Sequence, residues 1–119
     1  MNLFSFDGIT GFEEEVTQVL FESPSVRVER IISSGQKSPS GFWYDQEETE
    51  WVSVLQGRAV LEIEEQTVIL EAGDTLLLRA HCRHRILETS AEPKCVWLCV
   101  FSKDQKGRYY GTEENRQDQ

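Results

Sequence analysis

From residue 42 onward, apolar and polar residues alternate in short runs broken by turn residues. Trp51 to Leu55 reads as a strand closed by Gly57. Ala59, Leu61 and Ile63 alternate with Val60, Glu62 and Glu64, a strand with one wetter face. Glu64-Glu65-Gln66 is a short connection, and Thr67 to Leu70 returns beside it. Ala72-Gly73-Asp74 is a turn before the apolar Thr75 to Leu78. Arg83 to Leu87 and Cys95 to Phe101 supply two more strands, separated by a loop containing Pro93. Upstream, Val26, Val28 and Arg30 alternate with Arg27, Glu29 and Ile31, which predicts a further strand. The Ser33–Gly41 stretch is a loop by composition. Before Pro24 the signal changes. Phe12, Val16, Val19 and Leu20 recur at helical spacing, with Glu13 to Glu15 in the first turn, so a short helix is expected there.

Short strands punctuated every 8–12 residues, with no long helices between them, predict an all-β sandwich or barrel and disfavour a parallel βαβ sheet. Residues 1–24 then form an N-terminal extension, 25–102 the barrel, and 103–119 a polar tail, loose over Glu113–Gln119 and tethered before that by Tyr109 and Tyr110.

Length and charge narrow the function classes. The chain has 119 residues and a formal charge of −9. One domain of this size buries roughly two-thirds of its unfolded surface, enough for a core without staples. No apolar run approaches the ~20 residues of a membrane span. The acidic balance argues against nucleic acid, which needs clustered cations. The N-terminus lacks a secretory pattern. Three cysteines, Cys82, Cys95 and Cys99, without paired-ligand spacing, suit a reducing, cytoplasmic setting. Cys95 and Cys99 straddle Trp97 and read as small buried hydrophobes.

Two stretches carry a resemblance. Residues 41–57 read GFWYDQEETEWVSVLQG, and residues 73–86 read GDTLLLRAHCRHRI. Together they resemble the two motifs of the cupin superfamily. Glu50 stands six residues before Gly57, as the first motif asks. Gly73, five residues, Arg79-Ala80-His81 and two more residues lead to His84, as the second asks. The likeness implies a small antiparallel jelly-roll β-barrel. It also implies a divalent metal, held in metal-bearing members by two histidines and a glutamate of the first motif and a histidine of the second. Here the first-motif histidines are replaced by Trp43-Tyr44-Asp45 or Tyr44-Asp45-Gln46, and the second motif has Arg79 and His81 where the family has Pro and Gly.

Glu50 and His84 are therefore the remaining ligand candidates, with Asp45 or Gln46 able to add an oxygen. Such a mixed set suits Fe, Mn, Ni or Zn. The competing reading is a metal-free pocket in which Glu50 and His84 hydrogen-bond each other, because a buried carboxylate needs a partner. Such a pair also suits proton transfer. Alternation places Arg83 and Arg85 on the face opposite His84, and Trp51 opposite Glu50. Arg79 and His81 precede the strand and can reach the barrel mouth. The arginines suit either anion recognition or outer-face pairing with glutamates. Trp43 and Tyr44 suit ligand stacking or packing, while Trp97 reads as core. Cys82 shares the parity of His84.

The resulting expectation is a cupin-like barrel binding a small molecule through Tyr44, Gln46, Glu50 and His84. Its metal site would be incomplete, with candidates Asp45, Gln46, Glu50 and His84. A homodimer without nucleic-acid or membrane partners is expected. Two alternatives stay open: a divalent-metal-dependent enzyme acting on a sugar or small acid, and a structural or interaction protein with a packed barrel.

Overall fold

The computed structural model describes residues 1–111. The tail expected over Glu113–Gln119 lies outside the described residues. Eight strands form the chain in order: β1 (Val16–Glu22), β2 (Val26–Ser33), β3 (Thr49–Gln56), β4 (Arg58–Ile63), β5 (Gln66–Glu71), β6 (Thr75–Leu78), β7 (His84–Thr89) and β8 (Cys95–Ser102). They make two antiparallel sheets. One has the order β1-β2-β8-β3-β6, the other β5-β4-β7. This is the expected all-β jelly roll. The described residues contain no helix, and so none long and apolar enough to cross a membrane.

The expected N-terminal helix is instead β1. Its burial alternates, with Val16, Gln18 and Leu20 the more covered residues. The β-branched Val16, Thr17 and Val19 favour extended backbone. Pairing decides the outcome: Val16 to Val19 register against Ile32 to Glu29, covering the otherwise open edge of β2. The helix-like spacing of Phe12, Val16 and Val19 has no such partner to offer. Residues before β1 run without regular structure. They are fastened by Arg30, whose guanidinium donates to the carbonyls of Leu3 (3.1 Å) and Ser5 (2.7 Å).

The core lies between the sheets. Val52 and Val54 from β3, Leu76 and Leu78 from β6, and Cys95, Trp97, Cys99 and Phe101 from β8 face Ala59, Leu61, Val68 and Leu70 of the smaller sheet. Period-two alternation selects these positions, so burial of one residue predicts that of the next but one. Gly57 makes the tight passage from β3 to β4. Its φ is +81°, and a Cβ there would meet the Ser90 hydroxyl and stand 2.8 Å from the Lys94 carbonyl.

The segment between β2 and β3 continues the smaller sheet beyond β7. Tyr44 N–H donates to the His84 carbonyl (2.7 Å), and His84 N–H donates back (3.2 Å). Ser38 N–H donates to the Ile86 carbonyl and His81 N–H to the Gln46 carbonyl. These bonds cover the β7 edge. After β8 the chain returns over the outer face of the larger sheet, where the Tyr109 hydroxyl meets Thr75 Oγ1 at 2.9 Å.

Candidate functional site

One cavity of about 220 Å³ opens between the sheets. Four of its lining residues are the expected ones: Tyr44, Gln46, Glu50 and His84. They arrive by three structural routes. Glu50 is near the start of β3 on the inward register, flanked by Leu78 of β6 and Phe101 of β8. His84 opens β7 opposite Ile63 of β4. Tyr44 and Gln46 are brought over by the backbone bonds that dock their segment on β7 and the turn before it.

Glu50 is 8% exposed and accepts a hydrogen bond from the Gln46 amide at 3.1 Å. The Cys99 thiol, its neighbour at the cavity wall, also favours the charged carboxylate. Burial pushes the carboxyl above its ordinary range, because charge is costly away from water; the two neighbours oppose this only in part. His84 is 5% exposed and places Nδ1 3.0 Å from the Cys82 carbonyl. A carbonyl only accepts, so Nδ1 carries the proton and neutral His84 presents Nε2 as an acceptor. Burial lowers the imidazole's proton affinity. Glu50 is thus hydrogen-bonded to Gln46 rather than to His84. The Tyr44 ring stacks on His84 with centroids 5.1 Å apart. Burial, with Glu15 and Glu50 nearby, raises its phenol.

Asp45 is left outside. Alternation turns it away from its neighbours Tyr44 and Gln46, and His81 Nδ1 meets its carboxylate at 2.9 Å on the surface. Among the described residues, no three His, Cys, Asp or Glu side chains converge to hold a metal ion. The motif positions at the cavity supply one carboxylate and one imidazole nitrogen with an amide, which does not fit the four-ligand site of metal-bearing cupins.

The basic cluster also faces outward. Arg85 donates to Glu62 at 3.0 Å, the guanidinium groups of Arg83 and Arg85 lie 5.0 and 5.2 Å from the Trp43 ring, and Arg79 donates to the Gly107 carbonyl. Trp51 lies on the outer face beneath the returning C-terminal segment, where it lines a separate cleft. Cys82 sits by Glu64, away from the cavity.

Sequence reasoning missed Glu15, Thr17, Glu29 and Cys99 as lining residues. Glu29 and Cys99 were findable, since they are cross-strand partners on the inward register of β2 and β8. Glu15 and Thr17 were hidden by the helical spacing assigned to their segment. Glu15 is drawn in by Ser33, whose hydroxyl donates to it at 2.9 Å and accepts from the Trp97 indole at 3.0 Å.

A cupin domain family model matches residues 30–101. A candidate mannose-6-phosphate isomerase from Ralstonia eutropha JMP134 has a similar structure, with 42% identity and a TM-score of 0.81, covering 87% of this chain and 97% of that one. A cupin superfamily protein from Desulfitobacterium hafniense DCB-2 is similar at 20% identity and a TM-score of 0.67, covering 80% and 83% of the two chains. KdgF from Halomonas sp. is similar at 17% identity and a TM-score of 0.65, over 76% and 81%. No curated protein matches the sequence significantly. With both motif regions inside the matched span and the jelly roll built around Glu50 and His84, the chain belongs to the cupin superfamily.

Proposed function

We propose that this protein binds a small organic molecule in the barrel cavity, with Tyr44, Gln46, Glu50 and His84 as polar contacts and without a metal. The carrying observation is that two polar side chains more than nine-tenths buried, Glu50 and His84, line open space instead of pairing with each other. Burying such groups is costly unless they are used or fully partnered. A barrel serving only as a packed scaffold gains nothing from them. The volume is below the ~300–1,000 Å³ of drug-sized sites, so the ligand is small.

Similarity to the Ralstonia protein raises a second reading, an isomerase of a phosphorylated sugar. Glu50 and His84 are suited to moving protons. However, no arginine or lysine lines the cavity among the described residues, and phosphate recognition ordinarily uses such groups. Binding without phosphosugar turnover is the better-supported reading.

The test is a ligand screen by NMR on uniformly labelled protein, read at the Trp97 indole and the His84 ring. Small polar fragments that shift both resonances saturably are the expected result. A screen with no hit at these groups would overturn the proposal. Metal content of tag-free protein by mass spectrometry provides a second check. Near-stoichiometric metal that disappears in His84→Ala would replace the metal-free reading with the enzyme one.

A further inference from the structure

The cavity has a charge and hydrogen-bonding character that narrows its ligand beyond size. Its lining includes three carboxylates, Glu15, Glu29 and Glu50, and no cationic side chain among the described residues. The Arg27 guanidinium beside Glu29 is already engaged: it donates to Glu29 at 2.6 Å and to both Glu48 oxygens at 3.0 Å. One arginine against Glu29 and Glu48 leaves that group negative, and the exposed Glu15 carboxylate adds to it. Two further acceptors join them. His84 Nε2 is an acceptor without a partner among the described residues, on a side chain 5% exposed. The Gln46 amide nitrogen donates to Glu50, which leaves its carbonyl to accept. No cationic donor faces these acceptors among the described residues; the donors at the lining are neutral, the Tyr44 and Thr17 hydroxyls and the second N–H of the Gln46 amide.

The walls add a second, independent feature. Tyr44, Trp97 and Phe101 all line the cavity. Aromatic faces attract cations, the more so when water is excluded. The molecule already uses one of these rings in this way: the Arg27 guanidinium lies 4.2 Å from the centre of Phe101. Carboxylates with aromatic walls suit an organic cation, while a carboxylate or phosphate would meet carboxyl groups and no cationic side chain among the described lining residues.

Resting on the reading that the cavity is a ligand site, we propose that its ligand is a small organic cation, with an alkylammonium head held by Glu50 and Glu15 against the aromatic walls. The ammonium supplies a donor to His84 Nε2 and a counter-charge to Glu50. An ammonium beside Glu50 favours its carboxylate form over the neutral acid.

Three probes of matched chain length separate charge from shape: n-butylammonium, 1-butanol and butyrate. Each is titrated into labelled full-length protein at neutral pH, with the Trp97 indole and His84 ring as reporters. Saturable shifts with n-butylammonium are expected, with 1-butanol at least about tenfold weaker and butyrate without effect. Glu50→Gln keeps the shape and removes the charge. It is expected to weaken n-butylammonium about tenfold or more while leaving 1-butanol unchanged. Glu15→Gln, at the exposed rim, gives a smaller loss in the same direction and serves if the Glu50 variant folds poorly. If 1-butanol or butyrate binds as tightly as n-butylammonium, the cation proposal fails and the cavity reading survives. If none of the three perturbs the reporters, the cation proposal also fails. Fragment hits that are neutral or anionic would then keep the cavity reading, and an empty fragment screen would remove both.

Discussion

Tyr44 and His84 are joined by two backbone hydrogen bonds, 2.7 and 3.2 Å long, and by stacked rings inclined at only 16°. The pairing closes the β7 edge and sets the imidazole's plane at the cavity. Tyr44→Ala removes the stacked ring from a half-buried position, and a loss of about 1–3 kcal/mol is expected. Tyr44→Phe keeps the ring and is expected to change stability by less than ~0.5 kcal/mol. Urea midpoints of the two variants check this. Equal losses in both would assign the effect to the hydroxyl and not to the stack.

Glu50 makes stability fall as pH rises. Burial raises its carboxyl above the ordinary 4.5, so the folded state holds that proton more tightly than the unfolded chain. The linked stability is complete below about pH 4.5 and is lost as pH climbs through the folded-state value. Glu50→Gln keeps an acceptor for the Gln46 amide and removes the buried charge. The variant is expected to gain on the wild type as pH climbs through that window. The gain is about 1.4 kcal/mol for each pH unit separating the folded and unfolded values. Denaturation midpoints across roughly four pH units, from about pH 4 to about pH 8, read the difference directly. A gap that does not change with pH would contradict the account.

Much of this architecture is legible in the chain because period-two alternation is a local signal. From β3 to β8 each strand begins within two residues of its expected position, and the inward parity of Glu50 and His84 follows from the same alternation. Two features were not local. β1 exists because β2 offers an edge, and no window around Val16 contains that edge. The position of Asp45 depends on His81, thirty-six residues away, which captures its carboxylate outside the barrel. His81 also has φ +65°, at the place where the family motif has glycine. Histidine is among the residues that tolerate this conformation, so the turn survives the substitution. The carboxylates Glu15 and Glu29 reach the cavity through strand order, which composition does not encode.

His84 has the opposite pH signature to Glu50. Burial lowers its proton affinity below the ordinary 6.5, so the unfolded chain takes up the proton first. The linked stability is present above about pH 6.5 and is lost as pH falls through the folded-state value. Long-range proton–nitrogen spectra are expected to show a neutral ring protonated on Nδ1, the nitrogen facing the Cys82 carbonyl, still neutral at pH 6.5. A ring protonated on Nε2, or already cationic at that pH, would remove the acceptor on which the cavity's donor preference depends.

The three thiols are expected to react unequally. Cys95 is fully buried and its thiol is pushed up to about 12 by burial. Cys99 is raised well above its ordinary value by burial and by Glu50. Cys82 is half-buried, and burial with the adjacent Glu64 carboxylate raises it too. Thiolate is the reactive form. A disulfide reagent at mildly alkaline pH is expected to modify Cys82 slowly and to spare Cys95 and Cys99 until denaturant is added. Fast labelling of Cys99 in the native protein would mean that the cavity wall opens on its own.

Gly57 is the most demanding backbone position of the barrel. Its φ of +81° is unfavourable for any residue with a Cβ, and the Lys94 carbonyl leaves no room for one. Neither neighbour yields easily. Lys94 leads directly into the buried β8, and the Ser90 hydroxyl accepts a hydrogen bond from Arg58 N–H at 3.0 Å. Gly57→Ala therefore combines left-handed strain with a steric clash, and a loss of about 2–4 kcal/mol is expected. Ala at Gly73 has the same backbone strain, with φ +95°, but nothing within 4 Å of its Cβ. It is expected to lose only about 1–2 kcal/mol. Comparing the two midpoints isolates the clash from the strain, and equal losses would mean that the β3–β4 passage relaxes to admit the methyl group.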